Sequence, residues 1–467
     1  MDNSEEDGRR YYGWVERTPA ELERAVVEFG PIGHAGAQNG RNAVDSNFLD
    51  SFHAQLTTSR RNLRGCTIYR IPPEILAADR EAYKPMVVSI GPYFHDKKSA
   101  DKLNQLEKHK WSCARRLISN ACSSTREEDC KNLLRSCLEE MKNLEPQIRT
   151  SYSEEISMSS DKLASVMMLD GCFILHLLLK QDAGAEQQYD LLLLQNQIPF
   201  FVILALHRLL RGEQSEQRLI SAGLQLFSSI YPLRKDANFT VSCDQVYHLL
   251  HLVYLSILPP PNSPASCLAQ QQHIHIKVLP FWIPSAKELM ESGVKLKEKK
   301  NAQFFLDITF QRGVLEIPEL KIFDHSNFLL RNLIAFEQCY PDTRCHVTSY
   351  AAFMGCLLST QEDARVLHLK GILINGTTKQ EYGNGFFNQI NIGAHYSSDR
   401  NYLGSLTEEI MKYHGKRHNR WRAGLKRNYC TNPWVILSVI VAFVLLLLAV
   451  TNTIVALLNR FKRSQTQ

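Results

Sequence analysis

The chain has 467 residues, a formal charge of +6 at neutral pH, and 44% hydrophobic against 22% charged residues, so it can bury a sizeable core. The basicity is local. Lys412, Lys416, Arg417, Arg420, Arg422, Lys426 and Arg427 crowd residues 411–427, and Arg460, Lys462 and Arg463 follow Leu458, leaving about −4 for residues 1–410. This excludes nucleic acid as a partner of the bulk of the chain.

Residues 1–64 are rich in Arg, Glu, Gly and Asn without a sustained apolar period, the composition of a disordered arm. Pieces such as 19–29 are expected to turn helical on a partner. Residues 1–30 hold no apolar core of the kind a secretory signal peptide needs. From Ile68 the composition becomes globular. Two lobes of one domain are expected, a helical lobe over 65–258 and an α+β lobe over 265–405, with the proline-rich stretch 259–264 as the seam.

In the first lobe, 68–73 and 86–92 read as short extended pieces beside prolines. Leu103, Leu106, Lys110, Trp111, Leu117 and Ile118 recur at helical spacing, as do Leu163, Met167, Ile174 and Leu178 in a run to Lys180. Further helices are expected at 190–210, 213–228 and 243–257. In the second lobe, Ser285 followed by Glu288 is a capping box that opens a helix to Ser292. Residues 304–310 and 314–323, β-branched and aromatic around Gln311-Arg312-Gly313, predict an antiparallel hairpin. Residues 327–338 and 347–359 return to helix. The fold class is therefore mainly α (α+β): a helix-rich globular domain with a small antiparallel β element, plus one C-terminal transmembrane helix.

That last helix is read from Val435 to Leu458, 24 residues without a charge. At roughly 1.5 Å per residue it reaches about 36 Å, enough to span about 30 Å of hydrocarbon with some tilt. Trp434 before it and the three cations after Leu458 form an aromatic and cationic frame. Residues 406–433 become a basic juxtamembrane segment, 434–458 a single-pass C-terminal anchor and 459–467 a short basic tail, with membrane lipid as a partner. The larger cationic excess before the anchor places the bulk of the chain in the cytosol. Twelve cysteines without a Cys-x-x-Cys pair agree with a reducing compartment, while the sequons at Asn238 and Asn375 permit the opposite orientation.

Chemistry-bearing patterns are sparse. Asp244, His248 and His251 lie at i, i+4 and i+7 of an expected helix and are the weak candidates for a metal site. Their leucine-rich surroundings and the missing fourth ligand favour a structural role. His273 and His275 share one face of an expected strand and read as surface residues. Ser89-Ile-Gly-Pro92 offers the outline of a phosphate cradle, but Pro92 lacks the amide donor such loops use. No phosphate loop, nucleophile elbow or His-Glu-x-x-His is present, so no cofactor and no familiar catalytic class is expected.

Several strings taken together resemble a plant family of unknown biochemical role, domain-of-unknown-function family 247, also filed as uncharacterised protein family UPF0481. They begin with Ile68-Tyr-Arg-Ile-Pro72, Tyr83-Lys-Pro85, Val88-Ser-Ile-Gly-Pro-Tyr93 and Leu106-Glu-Lys-His-Lys-Trp111. The series continues with Met168 to Leu175, Asp190 to Phe201, Arg331-Asn-Leu-Ile-Ala-Phe-Glu-Gln338 and Tyr429 to Trp434. Gln195 departs from the Glu usual in the family. The resemblance implies a helix-rich domain with a C-terminal anchor and, for some grass members, a link to self-incompatibility; it implies no reaction.

Physically, these strings read as structural. Pro72, Pro92 and Pro199 set turns, and Gly91 and Gly171 permit close approach. Asn196 and Glu337 belong to the same set. Asp170, among apolar neighbours, needs a cationic or amide partner, with Arg70 or Arg331 as candidates. The expected function is a membrane-tethered interaction or recognition module with an unidentified protein partner. The rivals are an enzyme built on Asp170, Glu107 or His109, and a scaffold acting by self-association as a homo-oligomer.

Overall fold

The structure is a computed structural model that describes residues 47, 49–52, 65–95, 101–122, 127–212, 216–228, 230, 241–259, 282–323, 326–340, 343–376, 382–396, 401–416 and 433–464. The chain divides into two units, Met1–Arg60 and Arg61–Gln467. Of the first, only a piece of helix within 47–52 is described. The rest of the arm, most of the seam at 259–264, His273 and His275 lie outside the described residues.

The second unit opens with the short α1 (Pro73–Leu76), whose N-cap is Pro72, followed by α2 (Asp101–Ala121), α3 (Glu127–Asn143) and α4 (Glu145–Thr150). Next comes α5 (Ser160–Lys180), around which the first half is organised. Ser159 caps it by accepting from the Lys162 amide, and Gln181 ends it in a left-handed conformation. Between these caps its side chains are apolar on nearly every face, Asp170 and His176 excepted, and all but Ser165 are buried from Leu163 to Leu178. A helix apolar all round needs cover all round, and α2, α3 and two later helices provide it.

Those are α7 (Phe200–Arg211) and α8 (Gln217–Leu226), which follow α6 (Ala185–Asp190) and precede α9 (Leu249–Ile257). Two expectations need correction here. The helix expected over 190–210 begins only at Phe200, because residues 191–199 form turns that end at Pro199. The helix expected over 243–257 is a single 3-10 turn at Cys243–Gln245 and a separate α9, with His248 as the N-cap of the latter.

The second half begins with α10 (Ala286–Glu291), opened by the Ser285 and Glu288 capping box as expected. β1 (Lys295–Glu298), β2 (Thr309–Gln311) and β3 (Val314–Ile317) form a sheet in the order β1-β3-β2. The β2–β3 hairpin is antiparallel, pairing Phe310 with Leu315, but β1 joins β3 in parallel, Lys295 beside Val314. The expected strand 314–323 breaks after Ile317. Its remainder, β4 (Leu320–Ile322), pairs in parallel with the distant β5 (Leu373–Asn375). The β element is therefore mixed rather than antiparallel.

Around these strands lie α11 (Ser326–Cys339), α12 (His346–Leu357), α13 (Gln361–Leu369), α14 (Tyr382–Ile390) and α15 (Gly404–His414). One continuous cluster of buried hydrophobic residues runs from Ile68 to Ile410. The last element, α16 (Pro433–Ser464), is an unbroken helix of 32 residues whose large apolar side chains between Leu437 and Val455 are about half exposed or more. Among the described residues, the helix that meets both length and apolarity for a membrane span is α5, and it is mostly buried in the protein core. The apolar stretch Ile440–Ala456 of α16 is shorter.

Candidate functional site

Residues 86–91 run extended beside α5 without joining a sheet, so their amides must find other acceptors. The Asp190 carboxylate accepts from the amides of Met86 at 2.7 Å, Val87 at 2.7 Å and Val88 at 2.8 Å. Asn196 Oδ1 accepts from Ile90 at 2.7 Å, and its Nδ2 donates back to Val88 O and to Asp190 O. Asp170 Oδ2, from α5, accepts from Gly91 at 2.8 Å. Burial pushes the Asp190 carboxyl up to about 6, against the opposing pull of its three amides.

The cation of this site is Lys110 of α2. Its ammonium lies 2.5 Å from Asp170 Oδ1, 2.5 Å from Ser89 O and 3.4 Å from Glu107. Lys110 and Asp170 are 2% and 3% exposed, so each charge is neutralised inside the protein rather than by water. Asp170 thus finds both the cationic and the amide partner its setting demands, but neither Arg70 nor Arg331. Arg70 pairs with Glu154 at 2.8 Å and covers the Tyr93 ring, while Arg331 donates to Asn327 and lies 3.7 Å from Asp79. Both arginines are anchored on other elements.

Backbone geometry completes the clasp. Gly91 has φ +71°, and a Cβ there would lie 2.5 Å from Gln197 O, so glycine is required twice over. Gly171 lets α7 approach α5, since a Cβ would meet Leu206. Pro199 stands at the N-cap of α7, and Pro92 closes a turn by accepting from the His95 amide at 3.3 Å. Asn332 of α11 ties in the second half: it accepts from Leu194 N at 2.9 Å and donates to Ala82 O at 3.1 Å. Gln195 is buried in the same turn region.

Glu337 serves a separate purpose. Its carboxylate accepts from Val347 N and Thr348 N, both at 2.8 Å, and from the Thr348 hydroxyl, satisfying the first amides of α12. Burial raises its pKa. His248 and His251 are likewise committed: His248 Nδ1 accepts from His251 N, its Nε2 donates to Thr67 O, and His251 Nδ1 accepts from Tyr247 N. Asp244 is exposed on the preceding 3-10 turn, off their helix. No group of three or more metal-binding side chains gathers among the described residues.

The structure brings Asp170 and Glu107 together around Lys110 but leaves His109 exposed at the edge of Phe173. None of the principal cavities among the described residues is lined by these three groups. One cavity, about 420 Å³, is apolar and lies between α2 and α3 over α5, lined by Trp111, Ile118, Leu134, Leu138 and Met168. Trp111 is 64% exposed there. Lys110 was legible, in retrospect, as a lysine spaced four residues from Leu106 on an otherwise apolar stripe. Asp190 and Asn332 carried no such signal, because their partners are distant backbone groups.

Fold and site together describe a helix-rich domain locked by a buried polar clasp, built from the strings around Val88–Tyr93, Met168–Leu175 and Asp190–Phe201. The chain belongs to the DUF247 family, described as plant protein of unknown function, whose model matches residues 68–448 and so reaches into α16. It is 30% identical over 429 residues to UPF0481 protein At3g47200 of Arabidopsis thaliana, covering 84% of this chain and 87% of that protein. It is 20% identical over 483 residues to the putative UPF0481 protein At3g02645 of the same plant, covering 82% and 88%. No solved structure matches the chain.

Proposed function

We propose that this chain is a membrane-tethered binding protein, held at a bilayer by α16 and presenting its helical domain to a protein partner. The observation that carries the reading is α16 itself: Phe443 is 59% exposed and Leu446 61%, in a helix whose apolar residues face every direction. Such a surface is costly in water and favourable in hydrocarbon. The groove at Trp111 supports the binding part, because an exposed apolar patch on a folded domain marks a contact surface. The sealed state of Asp170 supports a structural rather than a catalytic use of that carboxylate. The recognition role that the family resemblance implies would suit such a molecule, and rests on membership alone.

Replacing Leu446 and Leu447 by Arg tests the tether. Two charges at mid-bilayer cost roughly 2.5 to 3.5 kcal/mol each, so the double variant should become extractable by carbonate while the wild type resists. Resistance retained in the variant would overturn the reading. We place the domain on the cytosolic side from the cationic excess before α16. In the same membranes, a glycosidase-sensitive mobility shift abolished by Asn375→Gln would reverse that orientation.

A further inference from the structure

We propose that a lysine-lined depression between β1 and the end of α13 rests on the anionic headgroups of the bilayer that α16 enters; this rests on the tether reading above. The depression, about 750 Å³, is lined by Lys295, Lys297, Lys300 and Lys370, with Glu298 as its acidic member. All four lysines are exposed, and none forms an ion pair among the described residues. Lysines on an edge strand also discourage strand pairing. That role does not account for Lys370, which lies beyond α13, nor for its neighbour Leu369, exposed to 73% among these cations. Cations around a protruding apolar side chain fit a lipid surface, where the apolar group enters the interface and the ammonium groups meet phosphates.

Position favours lipid over another polyanion. The sheet bearing Lys295 is packed against the end of α15, where the Tyr413 ring contacts Gly313 and meets Phe310 edge-on at 5.8 Å. Lys295 N donates to Gly313 O at 2.8 Å, so the depression begins beside this contact. Lys416 lies over the Tyr413 ring, and from it 16 residues, 417–432, lead to α16. These residues carry Arg417, Arg420, Arg422, Lys426 and Arg427 and no acid. Even fully extended they reach no more than about 55 Å, which bounds how far the lysine face can stand from the bilayer, and their charge has the same sign as the face. Glu316, beside Lys297 in the β1–β3 register, is the opposing charge on the sheet face.

The full chain is reconstituted in nanodiscs of phosphatidylcholine alone or with added phosphatidylserine, and lysine acetylation by an N-hydroxysuccinimide ester is followed by mass spectrometry. Labelling of Lys295, Lys297, Lys300 and Lys370 should slow about fivefold in the anionic discs, while Lys84 and Lys131 react equally in both. Lys295→Glu with Lys297→Glu, at solvent-facing positions, should return Lys300 and Lys370 to the rate seen in neutral discs. Equal rates in both discs with the chain incorporated would overturn the lysine face and leave the tether intact. Failure to enter either disc would overturn the tether. Labelling of the free chain with vesicles of the two compositions then decides the face: unequal rates retain it, and equal rates remove it.

Discussion

At the residue scale the decisive feature is the Lys110–Asp170 pair, because both charges are shielded from water and each also bonds a backbone group, Ser89 O for the ammonium and Gly91 N for the carboxylate. A buried pair adds little over an apolar replacement, but removing one partner strands the other. Asp170→Ala should therefore lower stability by roughly 3 to 5 kcal/mol, whereas Asp170→Leu combined with Lys110→Met should cost less than the sum of its parts. Thermal unfolding of the full chain in detergent measures both. An unchanged melting temperature in Asp170→Ala would show that the pair has another purpose. Asp170's need for a partner was legible because a lone carboxylate among Met167, Met168, Phe173 and Ile174 is untenable. The partner's identity was not, since helical spacing says nothing about which helix comes to rest beside it.

At the scale of elements, the extended run 86–91 shows how side chains can substitute for a missing strand neighbour. Asp190, Asn196 and Asp170 supply acceptors that a sheet would otherwise provide, and this holds the run between α5 and the turn before α7. Gly91 is its tightest point. Gly91→Ala would set a Cβ against Gln197 O in a left-handed conformation, a strain of about 1 to 3 kcal/mol that has no soft atom to absorb it. Amide hydrogen exchange over 86–91 should accelerate in that variant, and unaltered protection would refute the account. The helix expected across 190–199 failed for the same reason: Leu191–Leu194 look helical, but Asp190, Asn196 and Gln197 bond backbone groups and Pro199 stops continuation.

The whole molecule carries its pH dependence in buried imidazoles. Burial lowers His248 to about 3, His251 to about 2 and His346 to about 4, so all three are neutral when folded and take up protons on unfolding. Their contribution is complete above about pH 6.5 and is lost as pH falls toward those values. Asp190 has the opposite sign: its folded pKa of about 6 exceeds the unfolded one, so its contribution is complete below about pH 4 and is lost as pH rises through 6. Burial raises Glu337 in the same sense and lowers His176 and His207 with the other rings, so five rings against two carboxylates leave a net loss of stability as pH falls from 6 to 4. Urea unfolding of the full chain should show a clearly lower midpoint at pH 5 than at pH 7. Equal midpoints would mean that these rings are hydrated or already charged.

The family, the helical character, the core helix α5, the capping box at Ser285 and the β2–β3 hairpin are all legible in the residues alone. Each of these is written in local spacing: an apolar run, a Ser and a Glu three residues apart, β-branched segments around a turn. The long apolar C-terminal run on which the tether proposal stands is legible there too. Tertiary packing alone settles that Lys110 neutralises Asp170, that the His248 ring reaches Thr67 O, and that β4 pairs with β5 rather than extending β3. The physical reason is common to all three. Their partners lie tens of residues or more away, and a three-residue strand or a single buried charge has too little local preference to choose its neighbour before the core has formed around it.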